Sequence, residues 1–502
     1  MPSVPTISPA VLGAAFVPWL LVVGFLTYKA YNKTKSFDDY NIAKGHWGPV
    51  VLGFSAAATM QSAATILGVP GLVYGAGGFP GLWLLVTKSL AFGFGMIVFA
   101  KVLQHLGDRF GSLSVADWLG HMYESDAIRV IAALLATFQI AWVIAQLAGA
   151  SQVISALTTV SYEAALVISV LITFGYVFIG GESATQLTDT FQGVLMLIVV
   201  AASMVAGLFV LDGGIASLPQ QIQSQGGNMG LFASDFAIFA GPFAVFSFAM
   251  FFVTGALNPA VGKKFMSLDS NSDIKLFLVT AIGVAAFMDF TAFAGLYAVA
   301  LFPGLEQADQ SILYILNLAY PAVLVSVFAV AIFSATVTTL NSVIVSISVS
   351  YSNDIYRRVL AKRGIVHSGK SDAQIDTYAT WISRGGIVVL AVVSGLFALT
   401  PPDYINIFVN AGNYGFTSSV APVVAIGAIW RKANSTGAVT TLVVGPLLYL
   451  YLYLFQTPSN PFIAGTITLG VTVVTMVTVS YLSQGTPTRA LRMAPSVQQS
   501  SD

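Results

Sequence analysis

Two apolar stretches of the chain carry many small and hydroxyl-bearing residues. The first begins at Ser55 and reads SAAATMQSAATILGVPG. The second lies between 321 and 350 and contains a stripe of hydroxyl and amide side chains, namely Ser334, Thr336, Thr338, Thr339, Asn341, Ser342, Ser346 and Ser348. Hydroxyl oxygens and free backbone carbonyls are hard ligands that suit a small cation such as sodium. The two stretches therefore predict a cation site.

The first stretch has two interpretations. Small residues allow close packing of helices, so the run from Ser55 to Thr65 could be a helix contact. Gly68, Pro70 and Gly71 follow it, and they equally favour an interrupted helix whose freed carbonyls line a site.

Lys88 is the single basic residue that remains inside the membrane when those near the span ends are assigned to the cytoplasmic side. A charge at that depth of a bilayer costs on the order of 3 kcal/mol or more, so it must be paired or functional. Three interpretations stay open: an ion pair with Asp289, a contact with a substrate carboxylate, or proton coupling.

The composition indicates that these residues lie in a membrane protein. Of 502 residues, 56% are hydrophobic and only 8% are charged, against about 25% in soluble chains. Twenty-one basic residues balance 21 acidic ones, which excludes a basic surface for nucleic acid. The lack of cysteine excludes disulfides and thiolate chemistry. Because no basic residue precedes Lys29, the first apolar stretch predicts a retained helix, not a cleaved signal peptide.

Apolar segments long enough to cross a bilayer recur about thirteen times. They predict an all-α integral membrane protein, since backbone in lipid must satisfy its own hydrogen bonds. The approximate spans are 8–28, 48–75, 80–104, 128–157, 162–179, 187–211, 236–257, 276–302, 321–350, 381–400, 404–429, 436–456 and 461–483, with the division at Pro401 and Pro402 the least certain.

Charge asymmetry predicts the orientation of these spans. With the N-terminus outside, 20 of the 21 basic residues fall in cytoplasmic loops, including Lys263 and Lys264. All four histidines fall there too. The chain is thus expected to be a multi-pass cell-membrane protein with a cytoplasmic C-terminus. Residues 1–484 form one domain with polar loops at 212–235 and 353–380, and the tail 485–502 is expected to be disordered.

Four motifs in order resemble the sodium/solute symporter family from about Phe37 to Gly437. They are Gly180-Gly181 with Leu187-Thr188-Asp189-Thr190-Phe191-Gln192, Gly255-Ala-Leu-Asn258-Pro259 with Lys264-Phe265-Met266, Asn353-Asp354-Ile355-Tyr356, and Ala421-Pro422-Val423-Val424 with Trp430. The order Asn258-Pro259 departs from the family's usual Pro-His. The resemblance implies a leucine-transporter-like fold: two inverted five-helix repeats, about 48–211 and 236–429, after one extra helix and before two peripheral ones. It also implies transport by alternating access.

The resemblance further implies a sodium site. Its ligands would be the hydroxyls of Thr338 and Thr339 and the carbonyls of Ala335, Ala58 and Gln61. A rival register would shift the hydroxyl pair to Ser334 and Ala335. Asp189 would lie near the inner exit of the ion, although an acid at a helix N-terminus is the alternative explanation. Thr59 and Met60 stand where some relatives carry an acid.

The substrate is harder to predict. The segments from Gln61 to Gly68 and from Ile144 to Leu147 look similar to acetate and other monocarboxylate members, with pantothenate and proline members next. A small carboxylate is therefore expected, with sodium as the coupling ion, protons as the alternative and no other cofactor. The candidate residues for substrate or coupling are Ser62, Thr65, Lys88, Asn258 and Asp289.

Two other classes of function stay open. A non-transporting sensor or a channel could keep the same bundle, although no soluble output domain follows residue 484. A membrane enzyme is disfavoured, because the apolar segments contain no histidine cluster, Ser-His pair or carboxylate dyad. Nothing in the sequence indicates an oligomeric state.

Overall fold

The computed structural model describes residues 7–269, 273–400 and 405–488, without the side chains at 101–102, 104–110, 176, 406–408 and 410–411. Helices make up 80% of the described residues, and this part of the chain contains isolated bridges but no β-strand. The predicted all-α membrane class is confirmed.

The longer helices follow one another with short connections. In chain order they are α1 (Pro9–Tyr31), α2 (Pro49–Met60), α3 (Ala63–Gly75), α4 (Trp83–Phe110), α5 (Val115–Met122), α6 (Asp126–Leu157), α7 (Tyr162–Val210), α8 (Pro242–Gly255), α9 (Pro259–Ser267), α10 (Ile274–Leu301), α11 (Ser311–Ala319), α12 (Ala322–Ala361), α13 (Asp372–Phe397), α14 (Ile405–Ile429), α15 (Ser435–Leu454) and α16 (Pro461–Leu482). Shorter helical segments lie at Phe37–Asn41, Phe79–Leu82, Ile215–Ser217, Leu218–Ser224, Ala237–Phe239 and Ala308–Gln310.

Each of the thirteen predicted spans contains helix. Among the described residues, ten helices are long and apolar enough to cross a bilayer, and the bent pair of α2 and α3 makes an eleventh. The first half of α7, Tyr162–Gly175, is a shorter apolar helix. The division at Pro401 and Pro402 lies outside the described residues. The number of crossings, and the orientation that depends on it, therefore stay predictions.

Three of the long segments are broken, and the breaks shape the interior. The axes of α2 and α3 differ by 62°. A turn at 256–258 separates α8 from α9. Helix α7 bends at Gly181, whose φ of 59° belongs to the left-handed region. A Cβ atom at Gly181 would lie 2.6 Å from the Tyr40 carbonyl oxygen, so glycine alone fits this crossing. The first segment of each predicted repeat is therefore a broken one.

The stretch 353–380, expected to be a polar loop, is largely helical. Helix α12 continues to Ala361, with π-helical geometry from Ser350 onward. Ser371 caps the start of α13. Within α12, Asn353 and Asp354 are buried, and Asp354 Oδ2 accepts a hydrogen bond from Ser114 Oγ at 2.6 Å. The polarity of Asn353 and Asp354 thus reflects buried contacts with the start of α5, whereas residues 362–374, which include the turn between the helices, are mostly exposed.

The described residues continue past the predicted domain boundary at 484. Pro487 pairs with Asn434, and the Thr488 amide donates to the Ala433 carbonyl at 3.0 Å. Residues from 489 onward lie outside the described part.

Candidate functional site

The break between α2 and α3 lies in the interior of the bundle and leaves backbone groups without helical partners. Gln61 ends α2 with φ −91° and ψ 71°. Ser62 caps α3 by accepting from the Ala64 amide at 3.1 Å, and Gln146 Oε1 accepts from the Ala63 amide at 3.0 Å. Thr291 Oγ1 donates to the Thr65 carbonyl at 3.2 Å. Since unpaired backbone groups are costly in lipid, side chains from the neighbouring helices stabilise the break.

Helix α12 supplies hydroxyls to one side of the break. Thr338 Oγ1 donates to the carbonyls of Ala58 and Ala335, both at 3.0 Å. Thr339 Oγ1 donates to the Thr59 carbonyl at 2.7 Å and lies 3.5 Å from the Ala58 carbonyl oxygen. Four of the five expected sodium ligands, Ala58, Ala335, Thr338 and Thr339, are thereby brought together.

The rival register is less suited to a shared ion. Ser334 Oγ donates within its own helix, to the Val330 carbonyl at 2.8 Å. The side chain of Gln61, the fifth expected ligand residue, reaches helix α10 and donates to the Ala285 carbonyl at 2.6 Å.

Lys88 on α4 occupies the other side of the break. Its ammonium lies 2.5 Å from Asp289 Oδ1 and 2.6 Å from Thr65 Oγ1, and it also hydrogen-bonds to Gln61 Oε1. Ser89 Oγ donates to the second oxygen of Asp289. The structure therefore contains the Lys88–Asp289 ion pair that was one of three interpretations of Lys88. It adds to that pair Gln61 and Thr65 from the break itself.

A small cavity lies beside this ion pair. Its volume is about 10 Å³, enough for roughly one water molecule. The lining residues are Met60, Gln61, Lys88, Ser89, Phe92, Phe252 and Ala285. In this conformation the cavity is too small for an organic solute.

Asn258 is not among the residues that line this cavity. Its Oδ1 caps α9 by accepting from the Ala260 amide at 2.8 Å, and its Nδ2 donates to Asn413 Oδ1 at 2.7 Å. Asn258 thus stabilises the second break, as Ser62 stabilises the first.

Asp189 is buried within α7, well beyond the first turn after Gly181, so the explanation as a helix N-terminal acid is wrong. Its Oδ2 accepts from Ser55 Oγ at 2.9 Å and from Ser342 Oγ at 3.4 Å. Ser342 Oγ in turn lies 3.0 Å from Thr59 Oγ1. A continuous series of polar side chains therefore connects the hydroxyls at the break with Asp189.

A buried charge cluster continues this series. Lys264 Nζ lies 3.7 Å from Asp189 Oδ2 and 2.7 Å from Glu182 Oε1, while Lys263 Nζ lies 2.7 Å from Glu182 Oε2. Both lysines were expected in a cytoplasmic loop, but they are buried in α9. They are buried because Glu182 and Asp189 balance their charge.

Sequence reasoning overlooked Glu182. The signal that could have revealed it is an acid directly after a glycine pair, together with two consecutive lysines after the second break. Pairing between these distant segments becomes visible only in the folded chain.

Asp309 lies in the connection between α10 and α11. Its Oδ2 accepts from the Ile405 amide at 2.7 Å, and a Cβ atom at Gly71 would meet its Oδ1 at 2.1 Å. It therefore joins α3 to the start of α14. Burial raises the pKa of Asp309 to about 7, although the hydrogen bond from Ile405 lowers it.

The fold and this broken-helix site define a secondary transporter. The profile of the Sodium:solute symporter family matches residues 40–445, and the chain belongs to that family. The sodium/proline symporter of Escherichia coli (strain K12) is 24% identical over 454 residues, covering 85% of this chain and 84% of the relative. The sodium/proline symporter of Staphylococcus aureus (strain bovine RF122 / ET3-1) is 24% identical, covering 86% and 83%.

Solved structures support the fold assignment. A Na⁺-coupled sialic acid symporter in a substrate-bound, outward-open state superposes with a TM-score of 0.74 at 18% identity, covering 95% of this chain and 98% of that one. A nucleobase-cation-symport-1 family transporter in a closed conformation gives 0.53 at 14% identity, covering 89% and 95%. The leucine-transporter-like fold implied by the motifs is confirmed, and the chain is a transporter, not an enzyme.

The substitution Glu182→Gln should strongly destabilise the protein. Two buried lysines would lose their shared counter-charge, which costs about 3–5 kcal/mol. Thermal unfolding and the yield of monodisperse protein in detergent measure this loss. Glu163→Gln is the control, because Glu163 is exposed in the first turn of the same helix. Adding Lys263→Met to Glu182→Gln should recover part of the loss. A Glu182→Gln protein as stable as the Glu163→Gln protein would refute the charge-balance argument.

Asp309 should make the stability of the protein depend on pH. Its pKa is about 7 in the folded chain and about 3.9 when unfolded, so between these values only the folded state keeps the proton. The free energy of unfolding should therefore fall as pH rises from about 4 to 7, then become constant. Asp309→Asn should remove this slope in thermal unfolding, whereas Asp235→Asn, at an exposed site, should not. If the free energy of unfolding depended equally on pH in the parent, Asp309→Asn and Asp235→Asn proteins, Asp309 would not be the group responsible.

Proposed function

We propose that this protein couples the inward movement of sodium to the uptake of a small solute that carries a carboxylate group. Membership of the family supports sodium as the coupling ion. The observation that carries the proposal is the meeting of the Thr338 and Thr339 hydroxyls with the Ala58 and Thr59 carbonyls at the α2–α3 break. Oxygen atoms of this kind suit a hard monovalent cation.

We place sodium among Ala58, Ala335, Thr338 and Thr339. The hydrogen bonds that now join these residues would open to admit the ion, since each hydroxyl can turn its oxygen toward a cation. The Gln61 carbonyl belongs to the same turn and is the fifth proposed ligand. On this proposal, binding of sodium orders the break and thereby the adjacent face that Gln61, Thr65 and Lys88 form.

Asp189 supports a route for the ion out of this site. The polar series from Thr59 through Ser342 to Asp189 leads from the proposed ion site toward Lys264. Charge asymmetry predicts that this segment lies on the cytoplasmic side. We therefore propose release of sodium along this series, with the N-terminus outside and the C-terminus in the cytoplasm. Alternating access would open this polar series to the cytoplasm in one conformation and close it in the other.

The relatives favour proline as the first substrate to test. The curated proteins matched over most of their length are sodium/proline symporters, whereas the resemblance to monocarboxylate members rests on two short segments. Proline and monocarboxylates share a carboxylate, so the proposal commits to that group. The present cavity of about 10 Å³ must enlarge to admit either one.

Reconstitution in liposomes tests the coupling and the substrate together. An inward sodium gradient should drive accumulation of radiolabelled proline, or of acetate, lactate or pantothenate, and a potassium gradient should not. Unlabelled substrate inside the liposomes should accelerate labelled uptake, because a carrier exchanges its substrate and a channel or a sensor does not. Absence of sodium-driven accumulation for every carboxylate in this panel, with folded protein, would refute the proposal.

Thr339→Ala and Thr338→Ala should raise the sodium concentration needed for half-maximal uptake by roughly tenfold or more. A cation that loses one oxygen ligand in an apolar environment has no water to replace it. Apparent affinity for the solute at saturating sodium should change far less. Ser334→Ala is the control, since Ser334 donates within its own helix. A larger effect of Ser334→Ala would show that the ligand register is shifted by one turn.

A further inference from the structure

Lys88 has an environment that resembles a metal-ion site. Three oxygen atoms surround its ammonium: Asp289 Oδ1 at 2.5 Å, Thr65 Oγ1 at 2.6 Å and Gln61 Oε1. Only 4% of Lys88 is exposed, and Asp289 and Thr65 are fully buried. Carboxylate, hydroxyl and amide oxygens are the ligands that hard cations prefer in proteins. We refer to Gln61, Thr65 and Asp289 as the Lys88 cage.

The cage already uses every donor that Lys88 has. A lysine ammonium carries three N–H groups and no acceptor, and the cage provides one oxygen for each. The adjacent cavity has room for about one water molecule, so it is too small to admit a solute carboxylate beside the ammonium in this conformation. A direct salt bridge from Lys88 to substrate would first require one of these bonds to break, which leaves a buried charge less well satisfied.

The second oxygen of Asp289 and the amide of Gln61 hold the cage in place. Ser89 Oγ donates to Asp289 Oδ2, and Gln61 Nε2 donates to the Ala285 carbonyl at 2.6 Å and to Asp289 Oδ1 at 3.0 Å. Thr65 Oγ1 donates to Gln61 Oε1 at 2.6 Å. The oxygens that face the ammonium are therefore oriented by helices α3, α4 and α10, and they would remain oriented if the ammonium were removed.

The charge of the cage requires one monovalent cation. Asp289 contributes one negative charge, and the other two ligands are neutral. Without Lys88 a carboxylate would be left uncompensated in the interior of a membrane bundle, which cannot solvate it. A sodium ion carries the same single charge as the ammonium and binds the same oxygen atoms.

We propose that the Lys88 cage is a monovalent cation site that this chain fills permanently with its own lysine ammonium. The α2–α3 break then has a cation on each side, an exchangeable sodium beside α12 and a fixed ammonium beside α10. The exchangeable sodium beside α12 rests on the proposed function, but the existence of the cage site does not.

Removing the lysine should therefore create a sodium site. Purified Lys88→Ala should bind one more sodium per chain than the parent protein does, measured by equilibrium binding of radioactive sodium. Sodium should also raise its unfolding temperature more than it raises that of the parent. Lys88→Ala combined with Asp289→Ala should lose the additional sodium, because the cage then has no negative charge. These measurements need no transport, so they separate this proposal from failure of the proposed function.

A folding defect in Lys88→Ala also tests the proposal. If the variant is unstable in choline chloride, sodium or methylammonium should restore monodisperse protein, since both are small enough to enter the cage and choline is not. Thr441→Ala serves as the control, because its buried hydroxyl donates to the Gly437 carbonyl within α15, outside both the cage and the proposed sodium site, so its sodium stoichiometry should equal that of the parent. Unchanged sodium stoichiometry in folded Lys88→Ala, or instability that neither small cation relieves, would overturn the inference.

Discussion

The organisation of this transporter depends on one constraint: backbone groups exposed by a broken helix must be satisfied in the interior of a membrane bundle. At the α2–α3 break, water is replaced by side chains from surrounding helices. Gln146, Thr291, Thr338 and Thr339 each supply a hydrogen-bonding group to backbone between Ala58 and Thr65. These contacts converge on one place because the backbone there has no other partner. A site rich in hydroxyls and carbonyls is the result.

Buried charged side chains are likewise neutralised by oppositely charged side chains next to them. Lys88 and Asp289 neutralise each other beside the break, while Lys263 and Lys264 are balanced by Glu182 and Asp189 at the far end of the polar series. Removal of one partner leaves a charge that the interior cannot solvate. Since these clusters join helices from both halves of the chain, changes in them affect how the halves pack.

The α2–α3 break and the α8–α9 break have different side chains around them. The first has hydroxyls on one side and an ion pair on the other, both facing backbone that can coordinate a cation. The second is stabilised by Asn258, which caps α9 and binds Asn413. Of the two breaks, the first therefore offers the oxygen ligands that a cation needs, although both lie in the opening segments of their repeats.

The sequence by itself determined the membrane class, the helical segments and the family, because hydrophobic length and motif order are local properties of the chain. It also indicated that Lys88 needs a partner, and Asp289 was the acid at matching depth. Only the tertiary structure decided that Gln61 and Thr65 complete the environment of Lys88, that Glu182 pairs with both lysines of α9, and that residues 353–361 are helical. The physical reason is the same in each case. Whether a polar side chain is solvated or buried depends on what distant helices bring to it, and one sequence in isolation does not contain those distances.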